Sequence, residues 1–444
     1  MNSRKIALKI LIEIKDGAFS NIALDKYLSD VKDKRDRGLI TEMVYGVIRL
    51  QNRLDFIIKD FSKIGIKKMD DVVILVLRLG LYQLLYLDRI PQSAAVNETV
   101  NAIKGMTNKG AVGFVNGLLR NFIRKQDSFS FPGPEDLKSY MVDYLSHPAW
   151  LVEYWQEYYG TEKTIELCTY NNQAADLFIR INTLKYSEEE FLTIYKKEDI
   201  ELRSTNIPQT YMLKNSSSVE NLPLFKEGGF IVQGLAASLA GHILNPLPGM
   251  KVLDMAAAPG GKTTHLADLM KNKGEIIALD IYDHKLELIK ENCQRLGVKI
   301  VKTEKQDSST YHVDDKFDMI LLDAPCSGLG LIRQKPEIRW TKSKDDIQEL
   351  AIIQMGMLEN AINLLKKDGV LLYSTCTLTR EENQDNIKKI INLYKEELRL
   401  KDIKEELSRL GLENKYTVME NGYLELFPSE DNTEGFFIAK LQKK

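Results

Sequence analysis

Two cysteines at the ends of strand-like apolar runs are the residues of this chain best suited to chemistry. Cys326 closes the run in FDMILLDAPCSG, from Phe317 to Gly328, and Cys376 closes the run in GVLLYSTCTL, from Gly369 to Leu378. Cys326 lies in a turn rich in proline and glycine, where Pro325 constrains the backbone and Gly328 and Gly330 permit close approach. Asp323 adds a carboxylate beside it, and Cys376 has hydroxyl residues on both sides. Two thiols and a carboxylate suit attack on a pyrimidine ring. A thiolate adding to carbon 6 of cytosine makes carbon 5 nucleophilic enough to take a methyl group. An acid near N3, the natural role for Asp323, stabilises the developing charge. A base must then remove the carbon-5 proton so that the thiol can leave. Residue types alone do not rank the two cysteines, and they show no cation to lower a thiol pKa.

Upstream, DMAAAPGGKTTH (Asp254–His265) reads as a strand, a glycine-bearing turn and a helix start. A nucleoside-triphosphate P-loop needs glycine where this chain has Ala256, so the phosphate cradle is incomplete. The small residues Ala256, Ala257, Ala258, Pro259, Gly260 and Gly261, with Lys262, still let backbone N–H groups approach a ligand. Asp280 ends the next strand, where an acidic side chain accepts from a ribose diol. Asp307 follows the third strand and is placed to accept from an adenine amino group, although a lone strand-end aspartate often only caps a turn.

These residues need a frame. From Pro248 the rhythm is strand, turn, helix, with strands expected at KVLDM, EIIALD, VKIVKTE, FDMILLD and GVLLYST. Such alternation predicts a mostly parallel α/β sheet covered on both faces, with ligands at the carboxyl ends of its strands. Residues 1–131 read as an all-α bundle, including a very apolar helix from Val72 to Leu85 and a short helix in GFVNGLLRNF. The breaker cluster FPGP (Phe131–Pro134) suggests a boundary. Residues 132–240 read as a small α+β connecting region: an aromatic helix from Trp150, the strand LFIRIN, the helix SEEEFLTIYKK and the strand GGFIVQG. Ser216–Ser218 reads as a turn. Residues 241–444 complete the chain as the catalytic domain.

The 444 residues are 44% hydrophobic and 28% charged, an ordinary composition with room for two or three cores. No apolar run reaches the length of a membrane span, and charges interrupt the N-terminal apolar stretch, so a cytoplasmic protein is expected. The 4 cysteines lack CxxC pairing and only 5 histidines exist, which argues against a metal site and for reduced thiols. The net charge of -2 conceals an asymmetry, because the first ~145 residues hold about 23 Lys and Arg against about 17 Asp and Glu. A basic appendage on an acidic remainder points to a polyanionic substrate.

Two further segments have alternatives. Thr379 and Glu382 match a helix capping box, a structural device. Lys335, Arg339 and Trp340 are placed to contact phosphates and stack on a base, or else form a solvated charged loop.

The cofactor loop, Asp280, Asp307, DAPCSGLG and STCTL, in this order and spacing, resemble the RsmB/Sun/Fmu family of bacterial 16S rRNA (cytosine-5) methyltransferases. RDRGLITEMVYGVIR, RLGLYQLLYLDRIP and GFVNGLLRNF resemble the antitermination factor NusB. The resemblance spans nearly the whole chain. It implies a Rossmann-like class I methyltransferase domain with a seven-stranded sheet, preceded by a NusB-like RNA-binding domain. It implies S-adenosylmethionine bound by Ala256–Lys262, Asp280, Asp307 and Asp323, with Cys376 as nucleophile and Cys326 assisting product release. It implies 16S rRNA as the partner, with no membrane and no obligate protein partner. A tRNA substrate, or an RNA-binding assembly factor with a vestigial catalytic domain, are the alternatives. The chain departs from the family pattern at Met255–Ala256 (commonly Leu-Cys), at Gly234 (frequently Asp) and at Thr377 (commonly Ser). None of these removes a reacting group.

Overall fold

The computed structural model describes residues 2–214, 219–419 and 422–444, so Ser216–Ser218 lie outside the described residues. The chain divides into two compact units. One holds the residues up to 174 together with 332–342, and the other holds 175–331 with 343–444.

The first unit is helical. Its central helix, Asp71–Tyr86, is the apolar run expected from Val72 to Leu85, and Val76, Leu77, Leu79 and Leu81 are fully buried in it. Helix Lys34–Arg49 packs so closely on it that a Cβ at Gly46 would meet the Tyr82 ring at 2.0 Å. Tyr82 then donates to Glu42 on that same neighbour. GFVNGLLRNF lies inside a longer helix, Lys109–Lys125, started by the Asn108 side chain accepting from Ala111 N–H. The aromatic helix runs Ala149–Asn171 and breaks at Gly160, whose φ of 79° lies outside helical space.

Arg339 and Trp340 belong to this helical unit, which corrects their reading as RNA contacts or as a solvated loop. Arg339 is fully buried and donates to the carbonyls of Arg49 (3.3 Å), Ser146 (3.0 Å) and Asn171 (3.1 Å) and to Asn172 Oδ1 (2.9 Å). Trp340 Nε1 donates to Ile48 O at 2.7 Å. Ile48, Arg49 and Asn171 are final-turn residues of two helices, whose carbonyls lack intrahelical donors. The guanidinium and the indole supply those donors. Burial pushes the Arg339 pKa down to about 9, a cost met by these contacts. Lys335 remains near the surface, 5.2 Å over the ring of Phe19.

The second unit carries two sheets. The smaller comprises β1 (Leu177–Ile181), β2 (Leu202–Ser204), β3 (Thr210–Leu213) and β4 (Phe230–Val232) in the order β2-β3-β1-β4, all antiparallel. It packs with helix Glu188–Lys197, which begins at a capping box between Ser187 and Glu190.

The larger sheet contains β5 (Lys251–Asp254), β6 (Glu275–Asp280), β7 (Val301–Lys305), β8 (Phe317–Asp323), β9 (Leu365–Thr375), β10 (Leu398–Lys401), β11 (Leu424–Leu426) and β12 (Phe436–Lys443). Seven strands follow the order β10-β12-β9-β8-β5-β6-β7, and β11 pairs with β12 beside that path. Pairings among β5 to β9 are parallel, while β12 runs antiparallel to β9, β10 and β11. This is the Rossmann-like sheet expected from the strand-turn-helix rhythm. The antiparallel edge was not visible in that rhythm, because β12 returns to pair with β9 from about 60 residues further along the chain.

Alternation along the strands covers both faces. Val252, Leu321, Leu372 and Ile438 point into one core with Leu266 and Met270, whereas Leu253, Leu322, Tyr373 and Phe437 point into another with Leu358 and Ile362. Arg180 of β1, fully buried, pairs with Asp268 at 3.1 Å and donates to Gln233 Oε1 at 2.7 Å. The small sheet is thereby tied to helix Gly261–Leu269, which starts in the cofactor loop. Among the described residues no helix is long and apolar enough to cross a membrane.

Candidate active site

Asp254, Asp280, Asp323 and Cys376 all fall at the carboxyl ends of neighbouring strands. Parallel pairing of β8 with β9 sets Asp323 opposite Ser374, and Ser374 Oγ donates to Asp323 Oδ1 at 2.8 Å. The chain beyond each strand then carries one thiol. Cys326 Sγ and Cys376 Sγ lie 3.2 Å apart, both partly exposed. The thiol of Cys326 is raised well above its ordinary pKa by its hydrogen bond to Cys376 and by burial. Two thiols this close do not both ionise, since like charges disfavour each other.

Lys262 supplies the cation that sequence reading did not locate. Its Nζ is 2.6 Å from Asp323 Oδ2 and 5.3 Å over the Phe436 ring. Burial works against its charge, but Asp323, then Cys376 and Asp254, hold its pKa above the ordinary value. The Gly-Lys pair raised the phosphate-cradle reading that Ala256 leaves incomplete; the Lys262 side chain pairs instead with a carboxylate.

The cofactor loop leaves β5 at Asp254 and enters helix Gly261–Leu269 through Gly260, whose φ of 97° suits glycine. Ala257 N–H donates to Leu279 O at 2.9 Å, pinning the loop to β6. Asp254 is buried and accepts from Thr263 Oγ1 at 2.7 Å, while its Oδ1 has no hydrogen-bond partner. Burial pushes its pKa up to about 7; the Thr263 hydroxyl lowers it and the Asp323 charge raises it further.

Asp280 is nearly buried and accepts from Tyr282 N–H at 3.1 Å, beside the half-exposed side chains of Ile281 and Tyr282. Asp307 is exposed and accepts from Ser309 Oγ (2.7 Å) and N–H (2.9 Å), which hold its carboxyl below the usual value. It therefore closes a turn beyond β7.

S-adenosylmethionine fits this frame. A partnerless buried carboxylate oxygen at Asp254 suits an ammonium group, the glycine turn admits close backbone approach, and Asp280 with Ile281 offers an acceptor beside an apolar edge.

Glu382 corrects the capping-box reading. The turn Glu381–Asp385 is a π-helix, its N-cap Arg380 makes no side-chain cap bond, and Glu382 is fully buried. Its carboxylate turns inward and accepts from Thr379 Oγ1 (2.6 Å), Ser327 Oγ (2.5 Å), Ser327 N–H (2.8 Å) and Gln354 Nε2 (3.0 Å). At Gly234, a Cβ would lie 1.9 Å from Glu434 Oε1, so the Glu434 carboxylate occupies the space of a side chain there.

Fold and site together define an S-adenosylmethionine-dependent methyltransferase. Residues 241–442 match the family described as 16S rRNA methyltransferase RsmB/F, residues 1–124 match the NusB family, and residues 147–220 match a ferredoxin-like domain of RsmF/B-like methyltransferases. A Bacillus subtilis protein named "Probable ribosomal RNA small subunit methyltransferase B" is 37% identical, over 99% of this chain and 98% of its own length. The Proteus mirabilis "Ribosomal RNA small subunit methyltransferase B" is 34% identical over 87% of this chain and 90% of its own. The crystal structure of PH0851 matches with a TM-score of 0.85 at 29% identity, covering 100% of this chain and 99% of that one. NSun6 from Pyrococcus horikoshii, solved with SFG, matches with a TM-score of 0.60 at 28% identity, over 67% of this chain and 98% of its own. The chain belongs to the 16S rRNA methyltransferase RsmB/F family.

Proposed function

We propose that the protein methylates carbon 5 of a cytosine in 16S rRNA through a covalent bond between Cys376 and carbon 6 of the base. The names of the relatives support the small-subunit rRNA. The observation that carries the chemistry is the thiol pair, with Sγ atoms 3.2 Å apart beside the Lys262–Asp323 ion pair.

Lys262, paired with Asp323 at 2.6 Å, is the cation of the site. The Cys376 thiolate adds to carbon 6, the electron pair moves onto carbon 5, and a proton shared between Asp323 and N3 neutralises the charge that develops on the ring. S-adenosylmethionine supplies the electrophilic methyl group, and Ala256–Lys262, Asp280, Asp307 and Asp323 are the residues proposed to hold it. Once Cys376 is bonded to carbon 6 it no longer carries charge, which frees Cys326 to ionise. Cys326 then accepts the carbon-5 proton, the carbon–sulfur bond breaks, and Cys376 leaves as thiolate. Residues 1–131 and 132–240 are proposed to contribute RNA contacts, with residues 241–444 performing the transfer. A target base within folded RNA would be flipped from its stack to reach the thiols.

The test uses labelled S-adenosylmethionine and unmodified 16S rRNA with wild type, Cys326→Ala and Cys376→Ala, resolved on denaturing gels. A heat-stable protein–RNA band in Cys326→Ala but not in Cys376→Ala is expected. The reverse pattern would exchange the two roles. Absence of label transfer to any RNA would favour a binding factor with an inactive catalytic domain, and transfer to tRNA alone would move the substrate.

A further inference from the structure

The two thiols stand on separate loops, 50 residues apart in sequence, yet their sulfur atoms come within 3.2 Å. Both are free thiols, so no disulfide holds them there. A backbone bond joins the loops directly, from Gly330 N–H to Cys376 O at 3.0 Å, and beside it one buried carboxylate ties the residues that flank the thiols. Glu382 Oε1 accepts from the backbone N–H of Ser327, the residue after Cys326, and from Gln354 Nε2. Glu382 Oε2 accepts from Ser327 Oγ and from Thr379 Oγ1 on the Cys376 side. A carboxylate offers about four lone-pair sites, so these four donors saturate it.

The surrounding contacts extend the same junction. The hydroxyls of Ser327 and Thr377 lie 2.7 Å apart, and Thr377 directly follows Cys376. Because Ser327 Oγ donates its hydrogen to Glu382, the hydrogen between the hydroxyls comes from Thr377. Gln354 Nε2 also donates to Pro325 O at 2.8 Å, immediately before Cys326. Asn383 Nδ2 donates to Thr377 O at 3.0 Å. Pro325, Ser327, Thr377 and Thr379 therefore all meet one network, and Cys326 and Cys376 are carried by its rim. The inward turn of Glu382 coincides with a π-helical first turn, Glu381–Asp385, a local departure that often accompanies a functional constraint.

We propose that Glu382 is the positioning residue that sets the distance between the two thiols, acting through Ser327 on Cys326 and through Thr379 on Cys376. This rests on the covalent cytosine-5 reading above. Glutamine keeps the volume of Glu382 but replaces one acceptor oxygen by a donor, so it breaks one side of the junction without opening a cavity. Whichever way the amide turns, Ser327 loses one of its two bonds to residue 382, so the turn that carries Cys326 is held less firmly. Adduct formation should persist and its release should slow.

The experiment compares wild type, Glu382→Gln, Cys326→Ala and the double variant Glu382→Gln/Cys326→Ala, with Ser327→Ala as a milder break of the same contact. Each is measured for thermal midpoint, S-adenosylmethionine binding, turnover on 16S rRNA and heat-stable protein–RNA adduct. Glu382→Gln is expected to keep cofactor affinity, to lose roughly 10- to 100-fold in turnover and to accumulate adduct. In the Cys326→Ala background it should add less than about 3-fold, because the residue it positions is already gone. Ser327→Ala should show the same adduct phenotype in weaker form. Unchanged turnover in folded Glu382→Gln, or a loss of the same size in both backgrounds, would overturn the proposal. Should Glu382→Gln fail to fold, Ser327→Ala decides alone, and absence of adduct in it counts against the proposal. Absence of adduct in Cys326→Ala itself would instead overturn the covalent reading.

Discussion

Lys262 and Asp323 form an ion pair with Nζ 2.6 Å from Oδ2, and Ser374 Oγ closes on the other carboxylate oxygen at 2.8 Å. The pair joins the cofactor loop to the ends of β8 and β9, beside Cys376. Its ammonium is held charged there by Asp323 against the effect of burial. Lys262→Met should reduce kcat/KM by roughly 100-fold, since Asp323 then stands at the site without the cation that pairs with it. Steady-state kinetics on the folded variant check this. An unchanged kcat/KM would remove Lys262 from the reaction.

The carboxyl of Asp254 has its pKa raised from 3.8 to about 7, with burial the main cause. The folded state thus holds this proton more tightly than the unfolded chain. The associated stability is complete below about pH 4 and is lost as pH rises through about 7, on the order of a few kcal/mol. Asp254→Asn should flatten the decline in thermal midpoint across that window in cofactor-free protein. If Asp254 Oδ1 receives the cofactor ammonium, S-adenosylmethionine should bind wild type more tightly at about pH 8 than at about pH 6, and calorimetry at both values reads the difference.

Arg339 is expected to matter for folding of the helical unit rather than for methyl transfer. Arg339→Met leaves the carbonyls of Ser146 and Asn171 without the donors they have now. The cost should be roughly 3 kcal/mol or more in that unit. Urea unfolding followed by a probe in each unit tests this, with S-adenosylmethionine affinity expected to stay within about 2-fold. A loss of cofactor affinity without loss of stability would contradict the structural role.

Glu434 Oε2 accepts from Ala236 N–H at 3.2 Å and from Thr433 Oγ1 at 2.9 Å. Gly234 is the N-cap of helix Leu235–Leu244 and has no side chain to cap it, so Glu434 serves that helix from elsewhere in the chain. Glu434→Ala should destabilise by about 1 kcal/mol. Gly234→Asp alone should also destabilise, because its Cβ would collide with the Glu434 carboxylate. In the Glu434→Ala background, Gly234→Asp should restore stability. A double-mutant cycle by thermal unfolding reads the coupling, and strictly additive effects would count against the substitution of one carboxylate for the other.

The parallel part of the sheet and its helical cover were legible because burial on both faces demands continuous apolar runs, as in FDMILLD and GVLLYST. The cysteines and strand-end aspartates were legible because parallel strands deliver their following residues to one edge. Three kinds of information were not. β12 pairs antiparallel with β9 across a long separation, which no local pattern encodes. Arg339 and Trp340 look like loop residues facing RNA until the orphan carbonyls at Ile48, Arg49 and Asn171 are brought against them. Thr379–Glu382 has capping-box spacing, but donors from Ser327 and Gln354 outcompete the local backbone for its carboxylate.

Residue type and order by themselves determined the Rossmann-like frame and the candidate reacting groups and glycine turn at its strand ends, since these follow from side-chain chemistry and short-range periodicity. Tertiary structure alone decided which groups share a site: the thiols at 3.2 Å, Lys262 against Asp323, and Glu382 between two loops. Those relationships depend on strand register and on desolvated hydrogen bonds between distant segments. Such terms act only once the chain has packed.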